Sequence, residues 1–396
     1  PSTSGGIPTV VGTKSEASLG RSPRRVVLHV GTPKSGTTFL QRVLWDNQDP
    51  LKAQGFRCAG HRQSDMFLAA VELRESHNFW GYDPDELAGR WSAVCRQARE
   101  YDGVTIMSHE VLGGATAQQV RRAYAELEGL DVHLVLTARD LARQVTSEWQ
   151  ERVKNGSARS FAKFERRLVR QLEKGNFENG FWRNQDPVGI LGRWARDIPA
   201  DHVHVVVGPQ SSADPTLLWR RFADALGLDT ADINPVAPMR AANTSLGVAQ
   251  IQVLRRVNEA LAGRIKHPEY ARLVKSQFAE RILAGQSSSR PQCPPELVER
   301  LRVLAEDRNE TIRQRGYVVH GDLAELVPRQ PDGPYRAPDD VGRGAERAAY
   351  ADAIAALLVQ RASQGRLVRP EVPLPAPGGR LHRLGRLVAD LKSRRG

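Results

Sequence analysis

The sequence predicts an α/β fold with a central parallel sheet flanked by helices and a helical C-terminal half. Short β-branched runs recur through the first half of the chain, and helical patterns lie between them. After Gly208 the patterns are almost entirely helical. Alternation of strands and helices favours a parallel sheet because its crossover connections place helices on both faces. The chain has 396 residues, 40% of them hydrophobic, which is enough for one large core or two smaller ones.

Four runs are predicted to form the buried strands of this sheet: RVVLHV at 25–30, GVTIM at 103–107, VHLVLT at 132–137 and VHVVV at 203–207. Helical apolar spacing is predicted between them at 84–99, 117–128 and 141–154. Four helical segments follow between residues 216 and 316, and one more is predicted at 346–363. The first strand leads directly through GTPKSGTT into the helical run FLQRVLWDNQ.

The chain is predicted to divide into a leader, a main domain and a C-terminal region. Residues 1–24 are rich in Ser, Gly and Thr and are expected to be disordered. The main domain covers 25–327, with an α/β core at 25–210 and a mainly helical part at 211–327. Residues 328–396 are expected to form a Pro-rich linker and C-terminal helices, since proline cannot sustain helical hydrogen bonding.

Charge and composition favour a binder of anions. The formal net charge is +12 and the sequence pI is about 10.0, which suits phosphorylated cofactors, nucleic acid or acidic lipid headgroups. Only three cysteines are present and no two are close, so a cysteine-based zinc site or disulfide framework is not indicated. No run approaches a membrane span, and a cytoplasmic location is expected. A basic amphipathic stretch after Gly379 would allow peripheral membrane contact, or docking on the protein itself.

The segment from Gly31 to Thr38 is predicted to bind a phosphate or sulfate group. A glycine-containing turn between a strand and a helix directs backbone amides at an anion, at the positive end of the helix dipole. Lys34 adds a mobile charge, Gly36 allows close approach, and Ser35, Thr37 and Thr38 offer hydroxyl donors. The lysine precedes the second glycine, unlike the Walker arrangement of nucleotide triphosphatases, so magnesium-dependent phosphoryl transfer is less favoured.

Two motifs resemble those of the sulfotransferase family. T-P-K-S-G-T-T at 32–38 is similar to that family's 5′-phosphosulfate loop, and R-D-L-A-R-Q-V-T-S at 139–147 is similar to its 3′-phosphate motif. The resemblance is specific over about 25–153 and diffuse to about 328. It implies a P-loop NTPase-like fold, 3′-phosphoadenosine 5′-phosphosulfate (PAPS) as the donor, adenosine 3′,5′-bisphosphate as the product, and no metal.

The resemblance also implies roles for individual residues. Those that would bind the donor are Pro33, Lys34, Ser35, Gly36, Thr37, Thr38, Phe39, Arg139 and Ser147, with Lys34 also stabilising the leaving phosphate. Phe39 stands where cytosolic members carry an adenine-stacking aromatic, although the apolar helix around it equally favours a core position. The family's Arg-Lys-Gly motif has no clear copy, so the third contact to the 3′-phosphate is unassigned.

A base must accept the proton of the acceptor hydroxyl, and two regions could supply it. His109 and Glu110 follow the strand at 103–107, and in an extended segment only one of them would face the cleft, with Glu110 favoured. His61, near Asp65, is held in reserve. Two aromatic segments, at 78–80 and 181–183, are expected near the cleft or in the packing of a helical cap. The acceptor would be a small molecule, a carbohydrate or a glycolipid.

Two other functions fit parts of the sequence. A nucleotide-dependent kinase would require Mg²⁺ and would bind ATP tightly. A nucleic-acid-binding protein is suggested by the basic pI alone, and its affinity would fall steeply with salt. Because the basic residues are spread along the chain, the absence of nucleic-acid binding is the expectation.

Overall fold

The computed structural model describes residues 24–210, 214–235 and 245–363. The predicted leader and the predicted amphipathic tail after Gly379 lie outside these ranges, apart from Arg24. Within them the chain forms the predicted α/β structure around one parallel sheet, which has six strands where the sequence analysis predicted four. None of the helices in the described ranges combines the length and the apolar character that a bilayer span requires.

All neighbouring strands in the sheet are parallel, in the order β2-β3-β1-β4-β5-β6. The strands are β1 (Arg25–His29), β2 (Phe56–Cys58), β3 (Val104–Ser108), β4 (Asp131–Ala138), β5 (Val203–Val207) and β6 (Val318–His320). The strands that follow β1 in the sequence, β2 and β3, lie on one side of it. Strands β4, β5 and β6 lie on its other side. The crevice between β1 and β4 is therefore a topological switch point, where sheets of this kind bind ligands at their carboxyl edge.

Fifteen α-helices of the described ranges connect and flank these strands. They are α1 (Thr37–Asp46), α2 (Gln48–Ala53), α3 (Gln63–Leu73), α4 (His77–Trp80), α5 (Pro84–Leu87), α6 (Arg90–Glu100), α7 (Ala117–Ala125), α8 (Leu141–Lys154), α9 (Phe161–Glu173), α10 (Gly180–Gln185), α11 (Pro187–Trp194), α12 (Leu217–Leu226), α13 (Val248–Leu261), α14 (Pro295–Gln314) and α15 (Arg343–Ser363). A π-helical segment, Ala271–Ile282, precedes α14.

Three differences from the predicted elements have local causes. The helix predicted at 84–99 is divided into α5 and α6, because Gly89 adopts a left-handed φ of +79° between them. Strands β2 and β6 were not predicted, since three residues are too few to show a strand period. Strand β6 also brings the predicted mainly helical part back to the edge of the sheet.

The sheet is covered on both faces, as alternation along β1 shows. Val26 and Leu28 pack into a core beneath α3, α6, α7 and α11, whereas Val27 packs on the opposite face with residues of α1 and α12. All three side chains are at most 2% exposed. Helices on both faces follow from strands whose central residues are apolar on both sides of the sheet.

A second core is purely helical and lies beside the sheet. It joins α8, α9, α10 and α13 to the π-helical segment, α14 and α15, with Trp149 and Trp182 among its fully buried residues. The predicted linker before α15 is anchored to this core through Asp339. Its carboxylate accepts the Phe161 and Ala162 amides at 3.0 and 2.8 Å and pairs with Arg255 at 3.0 Å.

Candidate functional site

The predicted phosphate loop lies at the carboxyl edge of the sheet, between β1 and α1. Gly31, Lys34 and Gly36 all have positive φ, at +109°, +68° and +100°. A Cβ at Gly36 would collide with the Leu218 side chain, so this position requires glycine for two reasons. The loop opens into the N-terminus of the ten-residue helix α1, whose first amides have no partner within the helix. Unpaired amides at the start of a helix are the kind of group that binds anions in proteins.

The loop is held from behind by buried polar side chains. Ser35 Oγ lies 2.6 Å from both the Thr32 carbonyl oxygen and Thr137 Oγ1, so its hydroxyl points into the protein. Gln144 Nε2 donates to the Pro33 carbonyl at 2.8 Å, and Gln185 Nε2 donates to the same oxygen at 3.2 Å. These contacts within the protein hold the loop in its conformation.

The other predicted loop residues differ in their accessibility. Thr37 is only 2% exposed, whereas Thr38 is exposed and free to face a ligand. Phe39 is 8% exposed and belongs to the core between the sheet and helices α1 and α12. The structure therefore places Phe39 in the core position that the sequence left open, not on an open binding surface. The Ser35 hydroxyl holds the loop from within the protein, and the buried Thr37 side chain does not face solvent.

Lys34 reaches across the crevice to an ion pair on α8. Its Nζ lies 2.5 Å from Glu151 Oε2, and Lys275 Nζ lies 2.6 Å from Glu151 Oε1. Burial by itself would lower the pKa of Lys34, but Glu151 holds that pKa above its usual value. Burial would raise the pKa of Glu151, but Lys34 and Lys275 hold it well below its usual range. Lys34 and Glu151 are therefore both charged at neutral pH.

Arg139 joins the second predicted motif to the loop. It follows β4 directly, and its Nη1 donates to the Lys34 carbonyl at 3.1 Å. Its Nε is buried without a hydrogen-bond partner, and no carboxylate of the described residues lies within 4 Å of the guanidinium. Burial, together with the neighbouring Arg143 charge, lowers the pKa of Arg139 to about 10. Such a buried and unpaired cation is an expected feature of an anion site.

Ser147 lies on the face of α8 that is turned towards the loop. Gln144, three residues before it, contacts the loop carbonyl of Pro33, and Glu151, four residues after it, contacts Lys34. Residues three and four apart are neighbours on a helix surface, so Ser147 and Glu148 lie on the stripe that these contacts define. Ser147 is half-buried there. The predicted Arg139 and Ser147 pair is thus compatible with one shared anion.

Glu110 and His109 lie at the end of β3, next to the loop. A Cβ at Gly31 would be 3.2 Å from Glu110 Cα, and Gln41 Nε2 donates to Glu110 Oε2 at 2.9 Å. The expectation that the two side chains diverge is wrong, because His109 Nδ1 lies 3.8 Å from Glu110 Oε2. Glu110 begins a 3₁₀ turn and does not continue the extended strand, so the alternation of side-chain directions along a strand does not apply to it.

The surroundings of Glu110 and His109 shift the pKa of both side chains. Burial would raise the pKa of Glu110, but His109, the hydrogen bond from Gln41 and the Lys34 charge hold it below its usual value. Burial lowers the pKa of His109, whose Nδ1 accepts the Val111 amide at 3.2 Å. When His109 is neutral, the hydrogen bond from Gln41 and the Lys34 charge are the side-chain contacts that still favour the ionised form of Glu110.

His61 is the predicted residue that the structure does not bring to the loop. It is exposed beyond the edge strand β2, where its Nε2 lies 2.9 Å from Gln97 Nε2. Asp65 accepts the backbone amides of His61 and Arg62 at 2.8 and 3.0 Å, which caps α3. Both residues have local structural partners, and strand β3 lies between β2 and β1 in the sheet.

An aromatic chain extends from His109 towards solvent. The His109 ring lies 5.3 Å from Phe67, which lies 5.0 Å from Trp80, which in turn lies 4.9 Å from Phe79. Phe79 is 62% exposed, so the chain ends at the surface. The predicted aromatic pair Phe181 and Trp182 is instead buried in the helical core.

The sequence analysis did not identify Glu148 and Glu151, the two glutamates of α8 that lie on its loop-facing stripe. Burial raises the pKa of Glu148 despite the Arg152 Nε at 2.9 Å, and this carboxyl shares the loop-facing stripe of α8 with Glu151. The three- and four-residue spacing from Ser147 could have identified both glutamates. No local signal marks Lys275, which reaches Glu151 from the π-helical segment.

Comparison of the chain with family models, curated proteins and solved structures finds no match.

Proposed function

We propose that this protein binds PAPS in the crevice between β1 and β4 and transfers its sulfuryl group to a hydroxyl acceptor. The observation that carries the proposal is the hydrogen bond from Arg139 to the Lys34 carbonyl, which joins the two motifs at one edge of the sheet. One nucleotide can then contact both. The unpaired Arg139 Nε further supports a buried anion at this point.

The 5′-phosphosulfate would bind the amides at the start of α1, with Thr38 and the Lys34 ammonium. Lys34 would exchange its Glu151 partner for the bridging and phosphate oxygens of the donor. The 3′-phosphate would bind Arg139 and Ser147. Arg290 is the candidate for the contact that the sequence left unassigned, because its charge is close enough to lower the pKa of Arg139 further.

Transfer would proceed in line. The acceptor oxygen forms a bond to sulfur while the bond between sulfur and the 5′-phosphate oxygen breaks, and the acceptor proton passes to a base. Lys34 and the loop amides would stabilise the charge on the leaving phosphate, so the reaction needs no metal. Glu110 is the favoured base because it is ionised and adjoins Gly31 of the loop. Glu148 and His109 are the alternatives.

The acceptor would enter along the aromatic chain from Phe79 to His109. An aromatic wall suits the apolar face of a sugar, a phenol or a glycolipid headgroup. We expect a cytoplasmic protein, with peripheral membrane contact if the acceptor is a lipid. Liposome flotation with and without the residues after Gly379 tests that contact, since equal recovery of both forms would remove the membrane proposal.

Calorimetry tests the donor assignment against its two rivals. The full chain is titrated with adenosine 3′,5′-bisphosphate, ATP and an oligonucleotide, each with and without Mg²⁺. The proposal requires metal-independent binding of the bisphosphate. Tight ATP binding only with Mg²⁺ would favour the kinase, and salt-sensitive oligonucleotide binding alone would favour nucleic acid. Labelled donor incubated with fractionated lipid and sugar extracts would then identify the acceptor.

A further inference from the structure

A cluster of histidine and aspartate side chains lies at the amino edge of the sheet, opposite the phosphate loop. His133 is near the start of β4, and His202 directly precedes β5. The register pairs Leu134 with Val203, so the two histidines are cross-strand neighbours. Their rings stack with centroids 4.0 Å apart and an angle of 13°. Asp131 lies two residues before His133, on the same face of β4.

Asp131 brings a carboxylate to both rings. Its Oδ2 lies 3.4 Å from His133 Nε2, and its Oδ1 lies 3.4 Å from His202 Nδ1. The three donor atoms all lie within 4.8 Å of one another. Zinc bonds to nitrogen and oxygen are about 2.0–2.1 Å long, so tetrahedral ligand atoms are about 3.3–3.4 Å apart. The two separations, each from one histidine to a different oxygen of Asp131, are of that size.

A chain of hydrogen-bonding groups orients the His133 ring. Asp224 Oδ2 lies 2.6 Å from His320 Nδ1, His320 Nε2 lies 3.1 Å from His204 Nδ1, and His204 Nε2 lies 3.3 Å from His133 Nδ1. The Asp224 carboxylate can only accept, so with neutral rings each Nδ1 in the chain carries the proton. The His133 Nε2 lone pair is then left facing Asp131.

That lone pair has no other use within the described part of the chain. His133 Nε2 is buried and makes no hydrogen bond, and the nearby Asp131 oxygen is also an acceptor. Two facing acceptors repel unless a cation or a proton lies between them. Metal-bound histidines typically donate their other ring N–H to a second group, which is the role His204 has here.

We propose that Asp131, His133 and His202 bind a divalent transition-metal ion of the zinc type. Imidazole and carboxylate donors suit such an ion, and three protein ligands leave a fourth position for water. The His202 side chain is 31% exposed, so the site is open to solvent. Arg25 Nε donates a hydrogen bond to Asp131 Oδ2 at 2.8 Å. When a metal ion binds, the half-exposed Arg25 side chain either keeps this hydrogen bond to the ligand or moves into solvent.

The site is separate from the proposed donor site. Asp131 and Ala138 are the two ends of β4, seven residues apart, which corresponds to about 23 Å. A metal here would link β4 to the segment before β5 and stabilise the sheet without taking part in transfer. The proposal therefore does not depend on the sulfotransferase assignment.

Zinc titration of the full chain, by calorimetry, tests the site, with Co²⁺ absorption as a second readout of tetrahedral geometry. We expect one equivalent of Zn²⁺ to bind and to raise the melting temperature. His133→Ala and His202→Ala should abolish this binding, and the near-isosteric Asp131→Asn should weaken it even if an alanine variant folds poorly. His204→Gln, which alters only the outer partner, should weaken it about 10- to 100-fold.

His77→Ala is the matched control, because His77 lies alone on α4 and belongs to no such cluster of the described residues. It should bind Zn²⁺ as the unaltered protein does. No uptake by the unaltered protein, or equal uptake by the folded His133→Ala, His202→Ala and Asp131→Asn variants, would overturn the proposal. Bisphosphate binding should be unchanged in all of these variants, which keeps this test distinct from that of the proposed function.

Discussion

Replacing Arg139 with alanine should selectively weaken recognition of a 3′-phosphate. The guanidinium is buried, has an unpaired Nε and has no carboxylate of the described residues within 4 Å, so a bound phosphate would be its principal anionic partner. A hydrogen bond to a charged group contributes about 1.5–3 kcal/mol. Its loss corresponds to about a 10- to 150-fold rise in Kd, at about 1.4 kcal/mol per decade.

Calorimetry with two nucleotides isolates this contribution from general damage to the loop. Adenosine 3′,5′-bisphosphate should lose the affinity stated above in Arg139→Ala, whereas adenosine 5′-phosphate, which has no 3′-phosphate, should lose much less. The difference between the two losses is the coupling between Arg139 and the 3′-phosphate. Arg139 also donates to the Lys34 carbonyl, so a smaller loss common to both nucleotides is expected.

Arg313→Ala is the control for net charge, because Arg313 is an exposed arginine of α14 paired only with Glu310 at the surface. It should change neither affinity. Equal losses for both nucleotides in a folded Arg139→Ala protein would refute the assignment of Arg139 to the 3′-phosphate. Unchanged binding of both would refute the entire placement of the donor.

Three further predictions concern the loop, the ion pair beneath it and the base. Gly36→Ala should destabilise the protein by about 1–3 kcal/mol and abolish bisphosphate binding, because φ is +100° and the methyl group would meet Leu218. Glu151→Gln should lower the free energy of unfolding by about 1–2 kcal/mol at pH 7. This loss is smaller than for a fully buried ion pair, because the Lys34 side chain is 35% exposed. The pKa of Glu151 is lowered by folding, so this contribution is present above about pH 4.5 and is lost as the pH falls. Glu110→Gln should lower kcat for sulfuryl transfer about 10²- to 10⁴-fold with bisphosphate affinity retained.

Each of these variants has a matched control. Gly129→Ala has a similar φ of +81° with nothing near its Cβ, so it should lower the melting temperature but leave bisphosphate binding intact. Denaturant unfolding from pH 7 to pH 3 should show the Glu151→Gln deficit shrinking, and a deficit that grows on acidification would contradict the ion-pair argument. For the base, full activity in Glu110→Gln together with a large loss in Glu148→Gln would move the assignment to Glu148.

Local patterns were sufficient for the elements that carry the two motifs. Strands β1, β3, β4 and β5 and helix α8 were predicted because each has a buried run or a helical spacing long enough to recognise. The phosphate loop was predicted for the same reason, since its glycines and its position between a strand and a helix are all local. Three-residue strands such as β2 and β6 carry too little pattern to be identified from neighbours in the sequence.

The arrangement of charges in the site was beyond such reasoning. Lys275 and Glu151 are 124 positions apart, and only the packing of the π-helical segment on α8 brings them together. The convergence of His109 and Glu110 depends on a 3₁₀ turn that replaces the end of an extended strand. Neither feature has a signature in the spacing of the residues.

The sequence by itself determined four of the six strands, the loop after β1 that contains Lys34, and the position of Arg139 directly after β4. These properties depend on neighbouring residues, through backbone preference and apolar period. Only the tertiary structure decided that the Arg139 guanidinium meets the Lys34 carbonyl and that Asp131, His133 and His202 converge at the opposite edge. Those contacts depend on strand order and register, which are fixed by the packing of the whole core.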